Sequence, residues 1–140
     1  MRILAVDHGE KQIGLALSDP TATIASPFKV IQHTSRLMDA AQVANLAAEN
    51  DAGLIVVGQS FDEEGKPSLA GRRAAKFAEA LKQQTQTPVV LWDESFSTQD
   101  ARAARIEMGV SRKKRAGHLD ELAAVMILKS YLDANRPIAE

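Results

Sequence analysis

The chain has no cysteine, which excludes disulfide bonds, thiolate nucleophiles and cysteine-ligated zinc. Aromatic residues are scarce: four Phe, one Trp and one Tyr among 140 residues. Phe61, Phe77, Trp92 and Phe96 are too few and too scattered for a base-stacking platform and are expected in the core. No apolar run approaches the roughly 20 residues of a membrane span. No signal peptide precedes the apolar run ending at Val6, so a cytoplasmic protein with no membrane partner is expected. Neither a Walker loop nor a GxGxxG stretch occurs, leaving nucleotide binding of those kinds without support. Neither sign of charge dominates, with 17 Lys and Arg against 18 Asp and Glu and a net charge of −1, so no global basic field advertises nucleic-acid binding. What is present is ordinary for a globular protein, 45% apolar and 25% charged, in a length that suits one domain over residues 1–140.

The hydrophobic pattern starts with strands. Ile3–Val6 is wholly apolar, and Asp7-His8-Gly9-Glu10-Lys11 is a turn. Ile13–Ser18 alternates, placing Ile13, Leu15 and Leu17 on one face, which predicts a hairpin. Phe28–Ile31 follows as an edge-like strand. From Arg36 the period becomes helical, through Leu37, Ala40, Ala41, Ala44 and Ala47, ending near Asn50 and Gly53. Leu54–Val57 is a buried strand closed by Gly58, and Gln59–Ser68 a polar loop. A second helix runs through Leu69, Arg73, Phe77 and Leu81 until Thr87-Pro88, and Val89–Trp92 is the next strand. Ser97 or Thr98 caps a third helix ending at Gly109, and a last helix carries Leu119, Leu122, Val125, Met126, Leu128 and Leu132. Hairpin strands followed by helix-separated strands predict an α/β fold, a mixed sheet with helices packed on it.

Three acids punctuate this pattern. Asp7 follows the first strand, Glu94 follows Val89–Trp92, and Asp120 lies at the start of the last apolar stripe. Two strand ends and a helix start can meet on one face of such a sheet. Carboxylates gathered there repel one another, and each pKa rises unless a cation neutralises them. Oxygen-only ligands suit Mg2+ or Mn2+, and those ions handle phosphate. Each acid also has a plain reading: Asp7 as a turn residue, Glu94 as a solvated loop acid, Asp120 as a first-turn partner of the helix dipole. Glu121 could replace Asp120 on sequence alone.

Arg112, Lys113, Lys114 and Arg115 form a local basic run suited to sequence-blind contact with a phosphate backbone, or to simple solvation. Lys11 in the first turn could touch a phosphate or face water. His8 and His118 flank two of the acids and could assist proton transfer, although a lone exposed His is commoner. Asp19, Asp62, Glu63 and Glu64 fit turns and loops.

The segment Asp7-His-Gly-Glu-Lys-Gln-Ile-Gly-Leu-Ala-Leu-Ser-Asp resembles the opening motif of the YqgF family. These are ribonuclease H-like proteins described as Holliday-junction-resolvase-like and as nucleases that mature pre-16S ribosomal RNA. Val57-Gly58, Asp93-Glu94-Ser95-Phe96-Ser97-Thr98, Gly109–Arg115 and His118–Ala124 continue the resemblance over essentially the whole chain. It implies a ribonuclease H-like five-stranded sheet, with Asp7, Glu94 and Asp120 as metal-binding catalytic acids and phosphodiester hydrolysis as the reaction. Maturation of an rRNA precursor is favoured over cutting of a DNA junction, by a monomer or a homodimer. The chain departs from the family at Gln12 and Ser95, where arginines are usual, and at Gln59-Ser60, where Leu-Pro is typical. Those losses leave room for a non-catalytic nucleic-acid- or ribosome-binding protein of the same fold. Asp-x-Gly in a hairpin also resembles the phosphate turn of actin-like sugar kinases, but 140 residues offer no second lobe to close over ATP.

Overall fold

The structure, a computed structural model, describes residues 1–94 and 116–135, with side chains from 122 onward in the second segment. The expected helix from Ser97 or Thr98 to Gly109 lies outside the described residues, as does Phe96. Five strands, β1 (Arg2–His8), β2 (Gln12–Ser18), β3 (Ala25–Gln32), β4 (Ala52–Gln59) and β5 (Val89–Asp93), form one sheet in the order β3-β2-β1-β4-β5. The first three strands are joined antiparallel, whereas β1–β4 and β4–β5 are parallel. Helices α1 (Arg36–Glu49), α2 (Leu69–Gln84) and α3 (Ala116–Ala134) pack on it. This is the expected mixed five-stranded sheet with helices.

Strand alternation splits the core in two. Leu4, Val6, Ile13, Leu15, Ile55 and Val57 face α1 and α2, meeting Val43, Phe77 and Leu81. Ile3, Ala5, Ala16, Leu54 and Val56 face α3, meeting Ala124, Ile127, Leu128 and Leu132. Ala5 and Ala16 are the two small strand residues beneath α3 on that side. Among the described residues, no helix is long and apolar enough to cross a membrane.

Both cross-sheet helices begin on serine caps. The Met38 N–H donates to Ser35 Oγ (3.2 Å) and the Gly71 N–H to Ser68 Oγ (3.0 Å), as N-capping requires. Helix α1 stops where Asp51 takes a left-handed φ of 54°, a role more often filled by glycine.

Some expectations need correction. The edge strand is longer than Phe28–Ile31, running from Ala25 through Pro27, which an edge tolerates because it loses no ladder bond there. The last helix starts at Ala116, ahead of Leu119. Leu37, placed by spacing in the α1 stripe, is 65% exposed, whereas Ala40, Ala44 and Ala47 of that stripe are buried and Val43 joins them. Phe77 is core, and Trp92 packs against the α3 side. Phe61 is not core: it stands exposed on the loop after β4.

Candidate active site

Alternation carries β1 past its apolar run. Ile3 and Ala5 face α3, so Asp7 continues that face, while His8 turns to the other. The His8 ring lies 4.7 Å from that of Phe77, among the α1–α2 core. On β4 the residue after Leu54 and Val56 on the α3 face is Gly58; on β5 it is Glu94 that follows Val90 and Trp92.

Register then sets these residues side by side. Val6 pairs with Val57, and Gly58 pairs with Trp92, so Asp7 and Gly58 are level on neighbouring strands. On its other side Asp7 pairs with Gly14. The acid is thus flanked across the sheet by two residues without side chains.

Glu94, one residue beyond β5, sits over this space. Its Oε1 lies 2.9 Å from where a β-carbon on Gly58 would stand, and Ile127 of α3 covers the same spot, its Cγ1 at 3.0 Å. Gly58 therefore makes a shallow cradle between β1 and β5, roofed by α3 and holding a carboxylate. Asp7 and Glu94 are both half-buried.

Asp120 is the fifth residue of α3 and two turns, about 10 Å, before Ile127. The side chains of Asp120, Glu121 and His118 lie outside the described residues, as do Arg112, Lys113, Lys114, Arg115 and Ser95. Among the described residues no group of three His, Asp or Glu gathers into a metal site; the face holds two of the three expected acids. The donor set is carboxylate oxygen over a cradle that a β-carbon would fill, and it fits a hard divalent cation such as Mg2+ or Mn2+.

The β1–β2 turn borders the site. Gly9 N–H donates to Gln12 O at 3.0 Å, and a β-carbon on Gly9 would collide with that carbonyl. Lys11 is exposed in this turn, and Arg73 of α2 pairs with Glu10 at 2.9 Å. Sequence spacing gave no hint that Arg73 reaches this end.

On the opposite face His8 is held towards its neutral form, chiefly by burial and secondarily by the nearby His33. Its Nδ1 is buried without a hydrogen-bond partner. His8 therefore does not share the α3 face with Asp7. Also unanticipated is Asp39 in the first turn of α1, fully buried. Its Oδ2 meets His33 Nδ1 at 2.5 Å, and its Oδ1 accepts from the Thr34 N–H and hydroxyl, each at 3.0 Å. Burial works against its charge, but the Thr34 and His33 hydrogen bonds outweigh it and hold the carboxyl below its usual range. A histidine followed six residues later by an aspartate at a helix start was the available signal.

The fold matches solved resolvases. Thermus thermophilus RuvC in complex with a Holliday junction superposes with a TM-score of 0.65 at 15% identity, covering 100% of this chain and 98% of that one. The Fowlpox virus resolvase bound to junction DNA gives 0.60 at 14% identity, covering 98% and 100%. The sheet is accordingly ribonuclease H-like. A protein of Thermoanaerobacter pseudethanolicus, named as a candidate pre-16S rRNA nuclease, is 37% identical over 97% of this chain and 99% of its own length. One from an Anaeromyxobacter species with the same name is 38% identical over 95% and 97%. The model of the Holliday junction resolvase family RuvX matches residues 1–134, and the chain belongs to that family.

Proposed function

We propose that this protein is a divalent-metal-dependent nuclease that hydrolyses phosphodiester bonds in structured nucleic acid, with precursor 16S rRNA as its substrate. Asp7, Glu94 and Asp120 are its catalytic, metal-binding acids. The observation that carries this reading is the Glu94 carboxylate lying over Gly58, on the sheet face that Asp7 shares. The names of the relatives at 37% and 38% identity favour RNA over a DNA junction.

Bound at these acids, Mg2+ or Mn2+ would supply Lewis-acid polarisation of the phosphate and neutralise the gathered negative charge. The chain's own residues do the rest. Asp7 stands level with Gly58 at the end of β1, and Glu94 follows β5 directly with its carboxylate over Gly58. Asp120, the fifth residue of α3, supplies the third acid from a separate element. Ile127 closes one side of the cradle with apolar surface and limits water there. Lys11 and the run Arg112, Lys113, Lys114 and Arg115 hold flanking phosphates, neutralising backbone charge without reading sequence. The arginines absent at Gln12 and Ser95 lower affinity and leave the acids intact. The chain works as a single domain over residues 1–140, in the cytoplasm, as a monomer or homodimer.

The test is cleavage of a labelled pre-16S rRNA fragment beside a four-way DNA junction, in Mg2+, Mn2+ or EDTA, with wild type and Asp7→Asn. Metal-dependent cutting of the RNA that disappears in Asp7→Asn is expected. Preferential junction cutting would reassign the substrate, and binding without cutting in every metal would make the protein a non-catalytic binder.

A further inference from the structure

Among the described residues, Phe61 is the one exposed Phe, Trp or Tyr, at 37%. It stands three residues beyond Gly58, so about 10 Å of extended chain separates it from the cradle. The loop carrying it is a pinned hairpin. Phe61 bridges to Pro67, the Ser68 N–H donates to Ser60 O (3.1 Å), and the Ser60 and Ser68 hydroxyls meet at 2.5 Å. At the tip, the Asp62 N–H donates to Lys66 O (2.7 Å), Asp62 Oδ1 accepts from the Glu64 and Lys66 N–H groups, and Gly65 takes a φ of +83°. Below, Gln59 Nε2 donates to Gly71 O at 3.1 Å, and Gly71 abuts the Ser60 carbonyl where a β-carbon would collide.

A loop held by this many bonds keeps its one aromatic ring partly exposed on a short tether from Gly58, the residue over which the Glu94 carboxylate lies. Its sequence neighbours Ser60, Asp62, Glu63 and Glu64 are polar, and its apolar partner across the hairpin is Pro67. Glu63 and Glu64 repel phosphates, which favours approach by the base side of a strand.

We propose that Phe61 is a stacking contact for one unpaired nucleobase next to the scissile phosphate, giving the enzyme a preference for cleavage beside an unpaired or unstacked nucleotide. This rests on the nuclease reading above. Every base has a π face, so the contact would be indifferent to base identity. Because the hairpin is pinned beforehand, little ordering cost opposes binding.

The experiment uses the full chain and an RNA stem carrying 2-aminopurine as a single unpaired base, with a fully paired stem as control. Affinity and 2-aminopurine quenching are read in Ca2+, and cleavage in Mg2+. Wild type should quench the probe and bind the unpaired stem more tightly than the paired one. Phe61→Ala should lose the quenching and weaken binding to the unpaired stem roughly five- to a hundred-fold, with the paired stem unchanged. Phe61→Trp should restore both, and Phe61→Leu, apolar but without a π face, should not. Equal quenching and affinity in wild type and Phe61→Ala, with cleavage intact, would overturn the stacking contact alone. Phe61→Ala losing affinity for both stems alike would also overturn it, making the loop a general support. Wild type that neither binds nor cuts either stem would remove the nuclease reading and the Phe61 contact with it.

Discussion

Gly58 on β4 and Glu94, one residue beyond β5, adjoin across the sheet: the Glu94 Oε1 lies 2.9 Å from where a β-carbon of Gly58 would project. The missing side chain at Gly58 leaves room for both the Glu94 carboxylate and the Ile127 side chain. Gly58→Ala should push Glu94 off the cradle and displace Ile127, whose Cδ1 would meet the new methyl. Overpacking of this kind costs about 1–3 kcal/mol. Titration calorimetry with Mn2+ should show affinity reduced roughly tenfold or more, a factor equivalent to about 1.4 kcal/mol. Circular dichroism should remain that of a folded protein. Unchanged Mn2+ affinity would mean that Glu94 does not bind metal from this position.

Trp92 offers a direct optical report on the same place. It is the chain's only tryptophan, pairs with Gly58 in the sheet and lies two residues before Glu94. Its Nε1–H donates to Ser130 Oγ at 3.0 Å, and its ring meets Tyr131 edge-on at 5.2 Å. Adding Mn2+ should quench its fluorescence with saturation. Glu94→Gln should shift the midpoint to at least about tenfold higher Mn2+, the loss expected when a charged ligand becomes neutral. A quench that never saturates, or one identical in Glu94→Gln, would place the metal elsewhere.

The strands, and the placing of Asp7 and Glu94 at strand ends, were legible because their signals are local. An apolar run ending in Asp7, an alternating run from Ile13, and a second run ending before Glu94 each declare themselves within a few residues. That Gly58 separates the two acids was not legible, because it follows from the order β1-β4-β5, and no local pattern fixes strand order. Phe61 was assigned to the core on residue type, whereas the bridge to Pro67 and the turn around Asp62 hold it outside. Leu37 fitted the helical period, but period alone does not fix which edge of a stripe is buried, and α1 buries its alanines. The His33–Asp39 pair joins the residue after β3 to the first turn of α1, and its six-residue spacing was the one local hint of it.

His8 adjoins Asp7 in sequence and yet belongs to the opposite face, stacked near Phe77 with a buried Nδ1 that has no partner. A buried unsatisfied nitrogen costs about 1–3 kcal/mol. His8→Phe keeps a flat ring and removes that nitrogen, so it should raise stability by about 1 kcal/mol and leave metal-dependent cleavage within about twofold of wild type, as expected away from the reacting groups. In wild type the folded state disfavours the protonated ring, so this histidine's contribution is present above pH 6.5 and falls as pH drops through the lowered folded value. His8→Phe should remove that component from urea midpoints measured between pH 7 and pH 5. A hundred-fold or greater loss of cleavage with stability intact would instead give His8 a part in the chemistry.

Asp39 titrates in the same direction for a different reason. Its side chain is fully buried, and burial alone would raise its pKa, but the Thr34 N–H, the His33 ring and the Thr34 hydroxyl hold the carboxylate charged and keep its value below 3.8. A folded pKa lower than the unfolded one stabilises the native state above pH 3.8, and this stabilisation is lost as pH falls through the folded value. Removing the carboxylate leaves the Thr34 donors and His33 without their shared acceptor and unfastens the end of β3 from the start of α1. Hydrogen bonds to a charged group contribute roughly 1.5–3 kcal/mol, and Asp39→Ala should lower stability by about that amount at pH 7. Urea midpoints for wild type and Asp39→Ala should then converge progressively below pH 3.8, because acid takes from the wild type what the substitution has already removed. Parallel midpoints down to pH 2 would show that Asp39 contributes by packing and not by charge. Cleavage by Asp39→Ala, measured where the variant is still folded, should match wild type, since its anchor lies on the α1 side of the sheet and the acids on the α3 side.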